Sequence, residues 1–165
     1  MAGAVGGLAG SWAMVRFNHL YGGSSEDGGS HAHRRVAASP NDTDSSLPDE
    51  PASSQVADRA LAPIAGRPLT EPEKEATGPL FHYAFGALMG ALYGAAAEIQ
   101  PRTTAAAGMP FGAGVWVVAD EIGTPAAGLA RKPTEYPLSR HLSSFASHLV
   151  FGLTTEAVRR LLRQA

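Results

Sequence analysis

The sequence predicts an all-α protein: a small multi-pass transmembrane bundle of about four helices, with a long disordered loop after the first. Four uncharged, mostly apolar runs recur along the 165 residues, each separated from the next by charged side chains. Within these runs glycine recurs every four residues, which is typical of helices that pack closely in lipid. A polar stretch without aromatic residues separates the first run from the other three.

The composition excludes several classes of protein. The chain has no Cys, which rules out a disulfide framework, a thiolate nucleophile and a Cys-based zinc or iron–sulfur site. A formal net charge of -2 argues against a general nucleic-acid-binding protein, which needs a basic face. Phosphate-binding loops, dinucleotide fingerprints and nucleophile elbows are absent. We therefore expect no cofactor and no nucleic-acid partner, and we assign no catalytic residue.

The first domain, residues 1–21, is predicted to be the first transmembrane helix. Its uncharged run has 15 residues, from Met1 to Val15, and ends at Arg16. A bilayer core requires about 20 helical residues. The run therefore spans the core only if the Arg16 side chain extends to the headgroups.

Residues 22–78 form the predicted polar loop. Among these 57 residues 20 are Gly, Ser or Pro, and 10 acidic residues accompany 5 basic ones. All 12 aromatic residues of the chain lie elsewhere. Because so little apolar area cannot offset the entropy of ordering, we expect disorder from residue 22 to about residue 54. Residues 56–66 could form a short amphipathic helix, and a nascent helix in a flexible linker is the alternative.

Residues 79–165 are predicted to form the three-helix membrane region that completes the bundle. The first of these helices opens earlier, where Thr70 and Glu73 are spaced as a capping box. Gly78–Pro79 then predicts a break or a kink. The uncharged run in this helix, Ala76–Ala97, has 22 residues and meets the length of a bilayer span outright.

The last two helices are predicted from shorter runs. The third run, Thr103–Ala119, has 17 residues and ends at the acidic pair Asp120–Glu121. Ala105–Ala107 gives this run high helix propensity. The fourth run, His141–Thr155, has 15 residues, with a proline before it and three arginines after it. Proline near the start and arginine near the end both suit a helix.

Glycine spacing identifies the faces that we expect to pack. Gly86, Gly90 and Gly94 recur every four residues and form a groove along one face of the second membrane helix. The same spacing occurs in the pairs Gly3–Gly7, Gly6–Gly10 and Gly108–Gly112. In lipid such faces let helix backbones approach closely, within one chain or between copies in a homo-oligomer. A tightly packed, soluble Ala/Gly core is the alternative.

A candidate buried polar cluster lies within the apolar runs and comprises His82, Asp120, Glu121, His141 and His148. Ionisable residues inside a membrane are costly and face partners or a water path, so they are candidates for function. They could form a metal or proton-handling site. The sequence has no HExxH or His-x-His spacing, however, and we favour hydrogen bonds that fix helix packing. A metal site stays unassigned.

The pattern of five segments in the second half of the chain is distinctive. These are His82-Tyr83-Ala84-Phe85-Gly86, Leu92-Tyr93-Gly94, Ala119-Asp120-Glu121 with Pro125, Ser147-His148-Leu149-Val150-Phe151-Gly152, and Glu156-Ala157-Val158-Arg159-Arg160. They resemble the YagU-like family, small bacterial inner-membrane proteins of uncharacterised function. The resemblance implies a multi-pass helical membrane protein. It supplies no activity, substrate or catalytic residue.

The sequence therefore predicts an integral protein of the bacterial inner membrane, with membrane lipids as partners. A non-enzymatic role is favoured: a packing or stress-related component, or a small transport-related protein whose buried polar residues line a path. Two alternatives stay open. One is a membrane-embedded, metal-dependent enzyme that uses the His, Asp and Glu side chains, and the other is a soluble helical bundle.

The orientation follows from the basic residues. An even number of spans puts both termini on one side, which we expect to be cytoplasmic because four arginines would share it. These are Arg102, Arg159, Arg160 and Arg163. Three basic residues oppose this orientation, namely Arg131, Lys132 and Arg140.

Overall fold

The computed structural model describes residues 1–21, 52–130 and 132–164, and this part of the chain is all-α, as predicted, without a strand. Five helices make up most of it. They are α1 (Ala2–Tyr21), α2 (Ala52–Ala65), α3 (Glu71–Ile99), α4 (Met109–Val115, continued by the π-helical stretch Trp116–Gly123 and by Thr124–Ala126) and α5 (Leu138–Gln164). Most of the loop predicted to be disordered lies outside the described residues.

Helix α3 begins at the predicted capping box. The backbone N–H and the hydroxyl of Thr70 both donate to Glu73 Oε2, each at 2.8 Å. The guanidinium of Arg67 binds the same carboxylate with two hydrogen bonds of 2.8 Å. The hydrogen bond from Arg67 holds the pKa of Glu73, which precedes the uncharged run, well below its usual range. These contacts fix the start of α3 well before residue 79, where we placed the domain boundary.

The helix continues without a break through Gly78 and Pro79. Helix α2 packs against this turn, and a β-carbon on Gly78 would lie 3.3 Å from the Cα of Ser54. The missing side chain thus admits a neighbouring helix here. We attribute the continuity of α3 past the proline to this packing, because a helical break would withdraw the turn from α2.

Helix α1 runs antiparallel to α3 along the glycine groove. Near the start of α1, a β-carbon on Gly94 would lie 3.0 Å from the Cα of Gly3. One turn further along α1, a β-carbon on Gly90 would lie 2.7 Å from the Cα of Gly7. Gly86 follows, in contact with Gly7 and Ser11. Only glycine permits this separation of the two backbones.

Helix α5 packs on the other face of α1, again antiparallel. The α1 backbone at Gly6 contacts the backbone of Thr155, and Gly10 contacts Phe151 one turn earlier in α5. Helix α4 pairs with α5 in the same way. Gly108, just before α4, faces Gly152, and the residues that follow Gly108 in α4 face residues that come before Gly152 in α5. The four helices α1, α3, α4 and α5 therefore form an up-and-down bundle, with α2 against the first part of α3.

The connection between α3 and α4 departs from the predicted helix. Ala106 and Ala107 have φ values of 48° and 53°, in the left-handed region, and Gly108 follows with a φ of 83°. The prediction that Ala105–Ala107 would be helical is therefore wrong, and α4 begins only at Met109. The chain must reverse here so that Gly108 can pack against α5. This packing overrides the helix propensity of alanine.

The interior of the bundle holds many small and polar residues beside a few large ones such as Tyr93 and Phe151, whereas many large apolar residues lie on its outside. The buried polar and charged side chains include Ser11, Ser147, His148, Thr155, Glu156 and Arg159. The exposed apolar ones include Val5, Leu8, Phe85, Leu88, Leu92, Val118, Leu142 and Leu153. Among the described helices, α3 alone is long and apolar enough to cross a membrane.

Candidate functional site

Asp120 and His148 lie together where the π-helical stretch of α4 meets α5. Ser144 donates a hydrogen bond of 2.6 Å from its hydroxyl to Asp120 Oδ2. The other carboxylate oxygen, Oδ1, lies 3.8 Å from His148 Nε2. The His148 side chain is only 7% exposed and that of Asp120 is 38% exposed. The pair therefore joins an accessible carboxylate to a buried imidazole.

The π-helical stretch explains how two neighbouring acids of α4 face the same helix. Asp120 contacts Ser144, and Glu121 contacts His141, one turn earlier in α5. π-helical turns are rare and are frequent at functional sites, because the widened turn rotates side chains out of the regular helical register. Sequence reasoning did not predict this turn, and no residue type in the stretch specifies it.

His141 lies between two hydrogen-bond acceptors. Its Nδ1 is 2.8 Å from Glu121 Oε1, and its Nε2 is 2.9 Å from the carbonyl oxygen of Pro133. The carbonyl only accepts, so Nε2 must donate to it. The second contact then requires a proton either on Nδ1 or on Glu121. The pair holds this proton between its nitrogen and its oxygen.

The same reasoning fixes the tautomer of His148. Its Nδ1 lies 2.9 Å from the backbone carbonyl oxygen of Ser144 and must donate to it. Nε2 is then the atom that faces Asp120. The 3.8 Å between Nε2 and Asp120 Oδ1 is longer than a hydrogen bond, so the two side chains interact through space at short range.

His82 of α3 is the remaining residue of the candidate cluster. Its Nε2 is buried and has no hydrogen-bond partner among the described residues. Its ring forms a hydrogen bond with the backbone of Ser11 in α1. The structure thus pairs Asp120 with His148 and Glu121 with His141, and it shows no direct contact of His82 with either pair.

This geometry gives no support to the hypothesis of a metal site. Within residues 1–21, 52–130 and 132–164, no group of three or more His, Cys, Asp or Glu side chains is close enough to hold a metal ion. The acids and histidines of the candidate cluster instead form carboxylate–imidazole pairs. Such pairs bind and transfer protons.

Sequence reasoning missed a second buried ionic group, at the other end of α5. Glu156 is 1% exposed and accepts hydrogen bonds from Arg159 Nε at 2.7 Å and from Arg159 Nη2 at 3.0 Å. Arg160 also donates to Glu156. The sequence does contain a pattern that indicates this group, namely an acid followed by arginines three and four residues later. We interpreted the arginines as charges that favour a helix end and orient the termini, and not as partners of Glu156.

The predicted packing residues Gly86, Gly90 and Gly94 all line the contact between α3 and α1. Their partner helix belongs to the same chain, so this groove is filled without a second copy. The groove holds the Ser11 backbone against His82, next to the polar cluster. Glycine packing and the polar cluster are therefore parts of one interior.

A family of proteins of unknown function, DUF1440, matches residues 69–157, just over half of the chain. The matched segment contains α3, α4 and most of α5, and it includes all five residues of the candidate polar cluster. Helix α1 lies outside it. No curated protein and no solved structure matches the chain.

Proposed function

Because the chain belongs to the DUF1440 family of proteins of unknown function, no activity follows from its family, and we propose one from its structure. We propose a YagU-like, multi-pass protein of the bacterial inner membrane with a non-enzymatic, transport-related role. Its His/carboxylate core exchanges protons within the bundle. Both termini face the cytoplasm.

One observation supports this proposal above all, namely the reversed distribution of residue types. Leu88 and Leu92 of α3 are 55% and 56% exposed, and Val118 of α4 is 67% exposed. Inside the bundle, Thr155 and Glu156 are 0% and 1% exposed. In water, large apolar surfaces of this kind are unfavourable and are typical of interaction sites. In lipid, apolar side chains belong outside and small or polar ones between the helices.

The composition of α1 and α5 is compatible with membrane spans despite their modest apolar content. Glycine lowers the mean hydropathy of α1, but these glycines face α3 and α5 rather than the surroundings. In α5 the polar side chains His148, Thr155 and Glu156 are buried, so they do not meet lipid. At about 1.5 Å per residue, α1 is about 30 Å long and α5 about 40 Å, enough for a bilayer core of about 30 Å.

Buried and half-buried polar groups follow α5 over most of this length. They begin at the pair His141–Glu121, continue through Ser144 and His148, and reach Arg159 beyond Thr155. At about 1.5 Å per residue, His141 and Arg159 are about 27 Å apart along the helix. Ionisable residues at such positions mark proton relays in membrane proteins. This arrangement favours the transport-related role over packing alone.

Reconstitution tests the proposal. The purified chain in liposomes with a trapped pH-sensitive dye should let an imposed pH difference relax faster than empty liposomes do. Asp120→Asn, which keeps the side-chain shape, should remove most of this acceleration because it removes the exposed proton acceptor. The control Glu135→Gln removes an exposed acid outside the bundle and should not change the rate.

Two outcomes would contradict the proposal. A wild-type rate equal to that of empty liposomes would exclude proton transfer across the bundle. Recovery of the chain in the soluble fraction without detergent would exclude the membrane location and favour the soluble helical bundle, with its apolar faces covered by another copy.

A further inference from the structure

We propose that a cleft at the C-terminal end of α5 binds the phosphate of an anionic phospholipid headgroup. This arginine cleft has a volume of about 720 Å³ and is lined mainly by Glu98, Thr104, Arg159, Arg160, Arg163 and Gln164. It is separate from the proton-exchanging core, which lies near the opposite end of α5.

The arginines of the cleft are held in place by buried groups. Glu156, at 1% exposure, binds Arg159 through two hydrogen bonds and Arg160 through another. Arg159 also lies above the Tyr93 ring, 6.0 Å from its centre. Guanidinium groups that are fixed before binding lose less entropy when a ligand arrives. The buried carboxylate thus organises the cleft.

The charge of the cleft favours an anion. Among the residues that the structure describes, three arginines face two carboxylates there, those of Glu156 and Glu98, which leaves one surplus positive charge. The side chains of Arg160 and Arg163 are 52% and 48% exposed, so part of each guanidinium faces the cleft. The planar guanidinium fork matches two oxygens of a phosphate and binds them with charge-assisted hydrogen bonds.

The surroundings of the cleft favour a lipid as the source of this phosphate. Ile99, Leu161 and Leu162, the sequence neighbours of the charged lining residues, are 85%, 66% and 47% exposed. A phospholipid could place its headgroup in the cleft and its acyl chains against these side chains. This choice of source rests on the proposed membrane location, whereas the phosphate chemistry does not. The cytoplasmic leaflet, where we place this end, is rich in anionic lipids.

Lipid competition tests the proposal. The full chain is placed in nanodiscs of phosphatidylcholine with increasing phosphatidylglycerol, and the lipid retained after extraction is measured by native mass spectrometry. Wild type should retain phosphatidylglycerol in preference to phosphatidylcholine. The double variant R160Q/R163Q should lose about tenfold in this preference, a change of about 1.4 kcal/mol. The control Arg102→Gln removes one positive charge at the same end, outside the cleft, and should keep the preference.

A second variant covers the case in which R160Q/R163Q does not fold. Glu98→Gln removes a half-exposed carboxylate from the cleft, so it should strengthen the preference for phosphatidylglycerol. Equal preference in Glu98→Gln and wild type, or a loss in Arg102→Gln as large as in the double variant, would overturn the proposal.

A parallel experiment in detergent distinguishes lipid phosphate from free phosphate. Inorganic phosphate, added to the protein in neutral detergent, should not raise its unfolding temperature at millimolar concentration. Stabilisation by phosphate that R160Q/R163Q abolishes would overturn the lipid assignment and show a site for free anions. A chain that enters nanodiscs but shows no lipid preference refutes the cleft alone, whereas a chain that stays in solution refutes the membrane location.

Discussion

Gly7 of α1 and Gly90 of α3 face each other so closely that a β-carbon on Gly90 would lie 2.7 Å from the Cα of Gly7. Real β-carbons essentially never approach a neighbouring atom this closely, and here the neighbour is backbone, which cannot rotate away. The two helices therefore meet through their main chains. Dispersion contacts between closely packed backbones stabilise such a pair in lipid, where no hydrophobic effect drives helices together.

The first prediction follows from this contact. Gly90→Ala should destabilise the detergent-solubilised protein by about 1–3 kcal/mol, because α1 must move away from α3 to admit the methyl group. Gly90→Leu should have a larger effect. Thermal unfolding followed by circular dichroism measures both changes.

Gly114 of α4 provides the matched control, since a β-carbon there would meet no atom within 4 Å. Gly114→Ala should be neutral or should stabilise the helix by up to about 1 kcal/mol. Ala97, near the end of α3, is 7% exposed and would therefore be a poor control. If alanine costs the same at positions 90 and 114, close backbone packing is not what holds α1 in place.

The second prediction concerns Asp120 and His148. Removing one partner leaves the other with an unsatisfied charge or lone pair, so each single alanine variant should destabilise the protein. The double variant should cost less than the sum, with a coupling energy of at least about 0.5 kcal/mol. Chemical denaturation of the four proteins in the cycle gives this coupling energy.

A second cycle tests whether the coupling is specific. Asp120→Ala combined with His141→Ala should be additive, because His141 pairs with Glu121 instead. Additivity in the Asp120–His148 cycle would separate these two residues. It would leave no energetic support for an interaction between them.

The third prediction concerns the buried carboxylate at the other end of α5. Glu156→Gln should destabilise the protein by about 3–5 kcal/mol, because the buried Arg159 guanidinium then keeps only the half-exposed Glu98 carboxylate, 3.7 Å away, as a counter-ion. The combined variant Glu156→Gln with Arg159→Met should recover part of this loss. Glu71→Gln, at an exposed site, is the control and should change stability by less than about 0.5 kcal/mol. Equal effects at positions 156 and 71 would show that the buried pair does not stabilise the bundle.

The sequence predicted the helical class and the start of α3 because both depend on local patterns. The capping box needs only Thr70 and Glu73 at the correct spacing, and the structure forms it. The left-handed turn at Ala106 and Ala107 could not be predicted, since it follows from packing of Gly108 against α5. Helix propensity depends only on the residues of the segment itself. A turn of this kind depends on the helix against which the segment packs.

The candidate site, too, was predictable only where it depends on local sequence patterns. Residue types and the interruption of apolar runs identified Asp120, Glu121 and the histidines as candidates. Which acid pairs with which histidine depends on the π-helical turn, and no local pattern encodes it. The Glu156–Arg159 pair was overlooked because an acid and arginines near a helix end are usually solvated, whereas here α5 continues inside the bundle.

The membrane location is the central claim, and cysteine labelling in intact membranes tests it most directly. The chain has no native Cys, so a single introduced thiol reports on one position. Leu142→Cys lies on the outward face of α5, where the side chain is 58% exposed in the bundle. Ala65→Cys, at the exposed end of α2, is the control.

In membranes, Leu142→Cys should resist a water-soluble maleimide, because lipid covers this face, and it should react only after denaturation in dodecyl sulfate. Ala65→Cys should react in opened membrane vesicles without denaturation. Rapid labelling of Leu142→Cys in the same vesicles, at the rate of Ala65→Cys, would show that water reaches the apolar face of α5 and would contradict the multi-pass membrane bundle.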